Sequence, residues 1–235
     1  MSVLKIFYGP VKTFLRHYAA ILSVPPPIKT LLMTVLGMAA GWWMYVPLHE
    51  LLHAAGCLVT GGAVSRLDIQ PIYGGNLLAG LIPFVEAGGD YAGRLSGFDT
   101  NGSDWCYFVT VYFPYILTWG GLWLTETAVV RRSGALFGFA LPCLFAPLVS
   151  LTGDFLEIGS LVLYQIWPGA GNSHRRLISD DLFRLIQDVA ANGSAAWDSA
   201  TIAFIGFSLV VGAVLAWVTL VVADQVRSFS AAGQP

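Results

Sequence analysis

The chain has 235 residues, of which 56% are hydrophobic and 11% charged, with a formal net charge of -2 and a mean hydropathy of +0.68. So apolar a composition cannot cover a water-soluble surface, which makes the bilayer the solvent of an integral, multi-pass membrane protein. The few Lys and Arg residues form no face able to neutralise many phosphates, so nucleic acid is excluded as a partner.

Residues 1–27 are predicted to form an amphipathic segment. Leu4, Phe7, Val11, Phe14, Leu15, Tyr18 and Leu22 recur at helical spacing, with Lys5, Lys12 and Arg16 elsewhere around the wheel. A secretory signal would gather its apolar residues in one block. The spacing suits a helix that lies in the membrane interface or packs against the spans, and Pro25, Pro26 and Pro27 end it.

Four later stretches, residues 30–60, 105–130, 134–167 and 200–223, are apolar over lengths that cross about 30 Å of hydrocarbon. The expected fold class is therefore an all-α polytopic membrane protein with about four transmembrane helices. The first and third stretches exceed the roughly 20 residues a span needs. They contain Pro47, Pro142 and Pro147, which predict kinks or helices that protrude.

Between the first two stretches, Leu67 and Ile69 alternate with Arg66, Asp68 and Gln70. Tyr73-Gly74-Gly75 and a second apolar run over residues 77–85 follow, and the pattern predicts a β-hairpin at the membrane surface or dipping into it. The short Arg131-Arg132 connection makes spans two and three adjacent antiparallel helices. A core of three spans (28–167) is thus followed by a polar loop (168–199), with a short helix around 181–189, and by a fourth span with its tail (200–235). Lys5, Lys12, Arg16, Lys29, Arg131, Arg132 and Arg227 on one side, against Arg66, Arg94, Arg175, Arg176 and Arg184 on the other, put both termini in the cytoplasm. Cys57, Cys106 and Cys143 lie in apolar runs and are odd in number, so they read as packing residues rather than a disulfide framework.

The chemistry is concentrated in the first span, where the chain reads His49-Glu50-Leu51-Leu52-His53. On a helix the two histidines project from one face, one turn apart, where both imidazoles can bind one Zn²⁺, while Glu50 sits beside them as a general base toward water. Two histidines and a glutamate inside an apolar segment each carry a desolvation cost of a few kcal/mol unless something compensates, and a divalent cation compensates all three. A catalytic zinc generally takes three protein ligands. The candidates for the third are Asp154, Glu157, Glu126, His17 and His174.

Depth separates them. At about 1.5 Å per residue, His49 and Asp154 each lie about 30 Å along their helices from a basic anchor, Lys29 and Arg132. Spans one and three run in the same direction, so the two reach the same membrane level. Glu126, on the returning helix, is expected at the opposite surface beside Arg131 and Arg132. Asp154 is favoured because Thr152-Gly153 before it gives the backbone room to approach. Glu157, one turn further on the same face, is a partner to a ligating histidine or simply polar. His17 and His174 read as interfacial side chains.

With these residues the chain resembles the site-2 protease family of intramembrane zinc metalloproteases, over about residues 30–165. His49, Glu50 and His53 match the family's HExxH motif, and Asp154 stands where an aspartate from a later helix, usually in an Asn-Pro and Leu-Asp-Gly context, would supply the third ligand. Here Pro142 and Pro147 precede Leu151-Thr152-Gly153-Asp154, so Gly stands before the Asp and not after it. Tyr112-Phe113-Pro114 replaces the family's small-residue motif, and no PDZ-like domain is inserted. The resemblance implies cleavage of a membrane-protein or membrane-associated peptide, with Glu50 as general base and an edge strand that holds the substrate extended; residues 64–72 are the candidate strand. Two other classes fit less of the pattern. A non-proteolytic metal-binding scaffold or regulator needs only the ligands, and a small transporter would explain Glu50, Asp154 and Glu157 but not the histidine spacing.

Overall fold

Proline sets several of the helix boundaries. Helix α1 (Val3–Phe7) leads into α2 (Gly9–Leu22), with Pro10 in its first turn, and α3 (Pro27–Val59) opens on a proline, whose missing N–H is no loss at that position. Pro47 lies inside α3 without ending it. The structure is a computed structural model that describes residues 3–166 and 199–232, together with 182 and 185–187. Two compact units divide the chain, Met1–Ala146 with Thr219–Pro235, and Pro147–Val218.

In the first unit, α2 turns Thr13, His17 and Ile21 inward at a spacing of four and leaves Val11, Leu15 and Tyr18 exposed. Phe14 meets the rings of Phe137 and Phe145, at 6.2 and 5.0 Å between centroids. One stripe of the helix therefore packs against the neighbouring helices while an apolar and basic face stays outside.

Three helical stretches are long and apolar enough to cross a membrane: Pro27–Val59, Gly134–Ile166 and Ile202–Ser228. The protein is thus read as a membrane protein with three such stretches among the described residues, one fewer than expected. The missing one, residues 105–130, is divided into α5 (Asp104–Tyr112), a 3₁₀ turn (Phe113–Tyr115) and α6 (Ile116–Val130). Pro114 stands in that turn, where it can donate no backbone hydrogen bond, and neither helix alone reaches the length of a span.

Helix α7 (Gly134–Val149) lies backbone to backbone against α3. A Cβ on Gly37 or Gly41 would run into the carbonyls of Ala135 and Phe139, and one on Gly134 or Gly138 into those of Thr30 and Thr34. The pairings rise together along both helices, so α3 and α7 are parallel, as the depth argument requires. Gly121 of α6 meets Leu144 in the same manner, and with the short 131–133 connection this makes α6 and α7 antiparallel. Between helices in lipid the hydrophobic effect gives no drive, and close contact through small residues supplies dispersion instead.

The second unit pairs α8 (Asp154–Ile166) with the first part of α9 (Ser199–Ala232). Gly159 faces Ser208 and Gly212 faces Phe155, an antiparallel contact with Leu156, Phe204 and Ile205 at its core. The expected loop helix at 181–189 lies largely outside the described residues.

The segment after α3 differs from the expected hairpin. Strand β1 (Ala63–Ile69) is followed by a 3₁₀ turn and α4 (Gly75–Ala79), and only then by β2 (Val85–Ala87) and β3 (Gly93–Asp99). The sheet order is β2-β1-β3, with β2 parallel and β3 antiparallel to β1. The apolar run 77–85 therefore makes a crossover that returns the chain in the same direction. Gly74, at φ 84°, makes the left-handed turn into α4.

One sheet face presents Leu67, Ile69, Val85 and Leu95 to Ala54 and Leu51 of α3. The other carries Asp68, which accepts from Arg66 and Ser96 at 2.9 and 2.6 Å, while Arg66 also pairs with Glu86 at 3.1 Å. Burial alone would push the Asp68 carboxyl up; the bonds from Arg66 and Ser96 outweigh it and hold the carboxyl below its ordinary range.

Candidate metal centre

The HExxH segment sits in the second half of α3, and the periodicity of the helix brings its two rings together. His49 and His53, each 7% exposed, stack edge to face with centroids 4.6 Å apart. Their Nε2 atoms lie 3.0 Å from each other. Each Nδ1 is engaged on the far side: that of His49 by the Tyr45 hydroxyl at 2.9 Å, that of His53 by the Thr110 carbonyl of α5 at 2.8 Å.

The carbonyl partner fixes the proton position of His53. A carbonyl can only accept, so His53 donates from Nδ1 and its neutral ring keeps a lone pair on Nε2. The Tyr45 hydroxyl can donate or accept, and so suits His49 with its lone pair on either nitrogen. Two imidazoles held from behind, with Nε2 atoms converging, form the donor arrangement of a shared metal ion. Ligand-capable atoms of His49, Glu50 and His53 all lie within 4.8 Å of one another, and this cluster could hold a metal ion. Its nitrogen and carboxylate donors fit zinc by type.

Glu50 is placed by the sheet as well as by its helix. A Cβ on Gly93, the first residue of β3, would stand 2.5 Å from Glu50 Cγ, so only glycine leaves the carboxylate this position. The Tyr115 ring closes on His49 at 5.8 Å. Tyr45 could have been read from the sequence, because it precedes His49 by one helical turn. Thr110 and Gly93 could not, since they reach the site through tertiary packing.

The other candidates stand on other elements of the chain. Asp154 and Glu157 occupy the first turn of α8 in the second unit, where acidic side chains also suit the helix dipole. His17, expected at the interface, is 4% exposed and bonds Thr125 of α6 at 3.1 Å. Glu126, expected beside Arg131 and Arg132, pairs with Arg227 at 3.1 Å; α9 brings that guanidinium alongside α6. His174 lies outside the described residues. The candidate substrate strand, residues 64–72, overlaps β1 (Ala63–Ile69), which is the central strand with both edges occupied. The outer strands are β2 and β3. No protein-family model, no curated protein and no solved structure matches the chain.

Proposed function

We propose that the protein is an intramembrane zinc metalloprotease that hydrolyses a peptide bond in or near a membrane segment of its substrate. One observation carries the reading: two histidine Nε2 atoms converge at 3.0 Å beside a glutamate, inside a helix of membrane-spanning length. When bound, zinc supplies a Lewis acid that makes water more acidic and polarises a carbonyl. His49 and His53 hold the ion through Nε2, with Tyr45 and the Thr110 carbonyl keeping the rings in orientation. Glu50 accepts the proton of the attacking water and delivers it to the leaving amine. Asp154, the third ligand by the sequence argument, is tested by metal content.

The sheet gives substrate handling a physical basis. A transmembrane helix hides its scissile carbonyls and must unwind, and an outer strand offers the hydrogen bonds that replace those lost. The substrate strand is then β3 and not β1, because the first residue of β3 packs against Glu50. The connection after β1 comes back along α3: the Trp43 indole donates to the Ile72 carbonyl, roughly 24 Å from the end of α3 at about 1.5 Å per residue. Ile72, Leu77 and Leu81, 68 to 70% exposed, fit an element dipping into the acyl chains.

The experiment is metal content and cleavage measured together on the detergent-purified chain. Glu50→Gln is expected to keep the metal and lose about 10²- to 10⁴-fold in cleavage of a membrane reporter, the range of general acid-base catalysis. His53→Ala is expected to lose both, and Asp154→Ala to lose metal. A Glu50→Gln protein that cuts at the wild-type rate would rule the mechanism out. Chelator-sensitive fragments separate a protease from a metal-binding scaffold.

A further inference from the structure

The fold brings together two of the three cysteines, at a point the proposed mechanism does not use. Cys57 stands near the C-terminus of α3 and Cys106 in the first turn of α5; both are buried, at 0 and 1% exposure, and both are free thiols. A Cβ added to Gly62 would stand 2.5 Å from Cys57 Sγ and 3.0 Å from Cys106 Sγ, so both sulfurs border one small space. The Cys106 thiol also lies 3.8 Å from the Cys57 carbonyl. Gly61 and Gly62 form the turn over them, Gly61 at φ 87°, and the lid above the sulfurs is thus backbone without a side chain.

We propose that Cys57 and Cys106 are a redox-active dithiol that a small two-electron oxidant of the peroxide class converts to a disulfide. Either thiol can be the first nucleophile with the same balance, as with Cys106. Its sulfur attacks peroxide: the S–O bond forms, the O–O bond breaks, and one water leaves once the displaced hydroxide takes up a proton. The sulfur of Cys57 then attacks the sulfenic acid, the S–S bond forms, the S–O bond breaks, and a second water leaves. Two thiols and one peroxide give one disulfide and two waters. Cys57 faces the carbonyls of Ala63 and Asp99, and Cys106 accepts from the Thr60 hydroxyl at 3.1 Å.

The position of the bond gives it a consequence. His53 precedes Cys57 by one turn on α3, and Thr110 follows Cys106 by one turn on α5. A disulfide would join the same two helices whose contact, the 2.8 Å bond from His53 to the Thr110 carbonyl, orients a metal-binding ring. Oxidation therefore locks that contact and slows metal loss; this coupling rests on the metal reading above, whereas the disulfide does not.

The test is peptide mapping of the full wild-type chain in detergent after dilute hydrogen peroxide, with alkylation in denaturant and digestion without reductant. The expected product is one peptide pair joined through Cys57 and Cys106, with Cys143 alkylated, and dithiothreitol restores the separate peptides. Cys57 and Cys106 found singly alkylated, or singly oxidised to sulfinic acid, would overturn the pair. Zinc release to a chelator is then timed before and after oxidation, and a several-fold slower release is expected. An unchanged rate beside a formed cross-link would sink the coupling alone, and the mapping is readable whether or not the chain binds zinc.

Discussion

Helices α2 and α3 both bury histidine in the first unit, and the two surroundings differ in how the polar atoms are directed. Around α2, Thr13 donates to Asp224 at 2.8 Å, Arg227 reaches Glu126 at 3.1 Å and Asp224 at 3.7 Å, and His17 bonds Thr125. Hydroxyl and guanidinium donors there meet carboxylate acceptors, with only Arg227 Nε in this cluster left without a partner among the described residues, and opposite charges meet within the protein. Around α3, the outward nitrogens of His49 and His53 are engaged and the inward ones converge on each other. Buried polarity in an apolar chain is therefore of two kinds: one pairs charges and fastens helices, the other brings two ring nitrogens and a carboxylate into a cluster that could hold a metal ion.

The sharpest way to break that distinction is to disturb direction without touching a donor. Gly93→Ala adds only a methyl group, but at 2.5 Å from Glu50 Cγ it must move the carboxylate or the strand. Cleavage is expected to fall by about 10²-fold, the usual effect of an ångström-scale misplacement, with metal content unchanged. Metal loss in this variant would mean that the sheet holds the histidines as well as the glutamate. Next in size is Tyr45→Phe, which removes the hydroxyl on His49 Nδ1 and nothing else. Metal affinity, read by competition with a chromophoric chelator, is expected to drop about 10- to 100-fold, as for other groups that orient a ligating histidine.

How much of this the sequence carried depends on the range of each interaction. His49, Glu50 and His53 were legible because one helix contains them all and its period puts them on one face. The parallel course of α3 and α7 followed from counting spans between basic anchors. The sheet was read wrongly beyond β1, because an apolar run such as 77–85 has no periodicity that separates a strand from a short crossover, and parallel pairing is not written in local pattern. The 105–130 stretch looked like one span because hydropathy does not register the break at Pro114. Cys57 and Cys106 looked like unrelated packing residues, since only the antiparallel contact of α3 with α5 brings them together.

The α2 cluster should respond to mutation in stability and leave the metal alone. Thr13→Val keeps the volume and removes the hydrogen bond to Asp224; hydrogen bonds to charged groups contribute about 1.5 to 3 kcal/mol. A loss of that order in denaturant unfolding, with normal zinc content, is expected. A zinc deficit in Thr13→Val would mean that the two clusters are coupled, and the contrast drawn between them would fail.

The smallest effect is the pH response of His17, and its sign is fixed by the surroundings. Burial disfavours the charged ring first, Arg16 and Arg227 add repulsion, and Glu126 and Asp224 oppose them without prevailing, so the folded pKa lies below the ordinary value. In the unfolded chain the ring takes its proton near pH 6.5; in the folded chain it does so at lower pH. Between those two points the unfolded state binds more protons, so stability rises with pH. The contribution is complete above the unfolded pKa and is lost as pH falls toward the folded one. Wild type should therefore lose more melting temperature than His17→Gln between pH 7 and 5. Parallel curves for the two proteins would show that His17 is protonated equally in both states, and the α2 cluster would then have to admit a charge it is built to exclude.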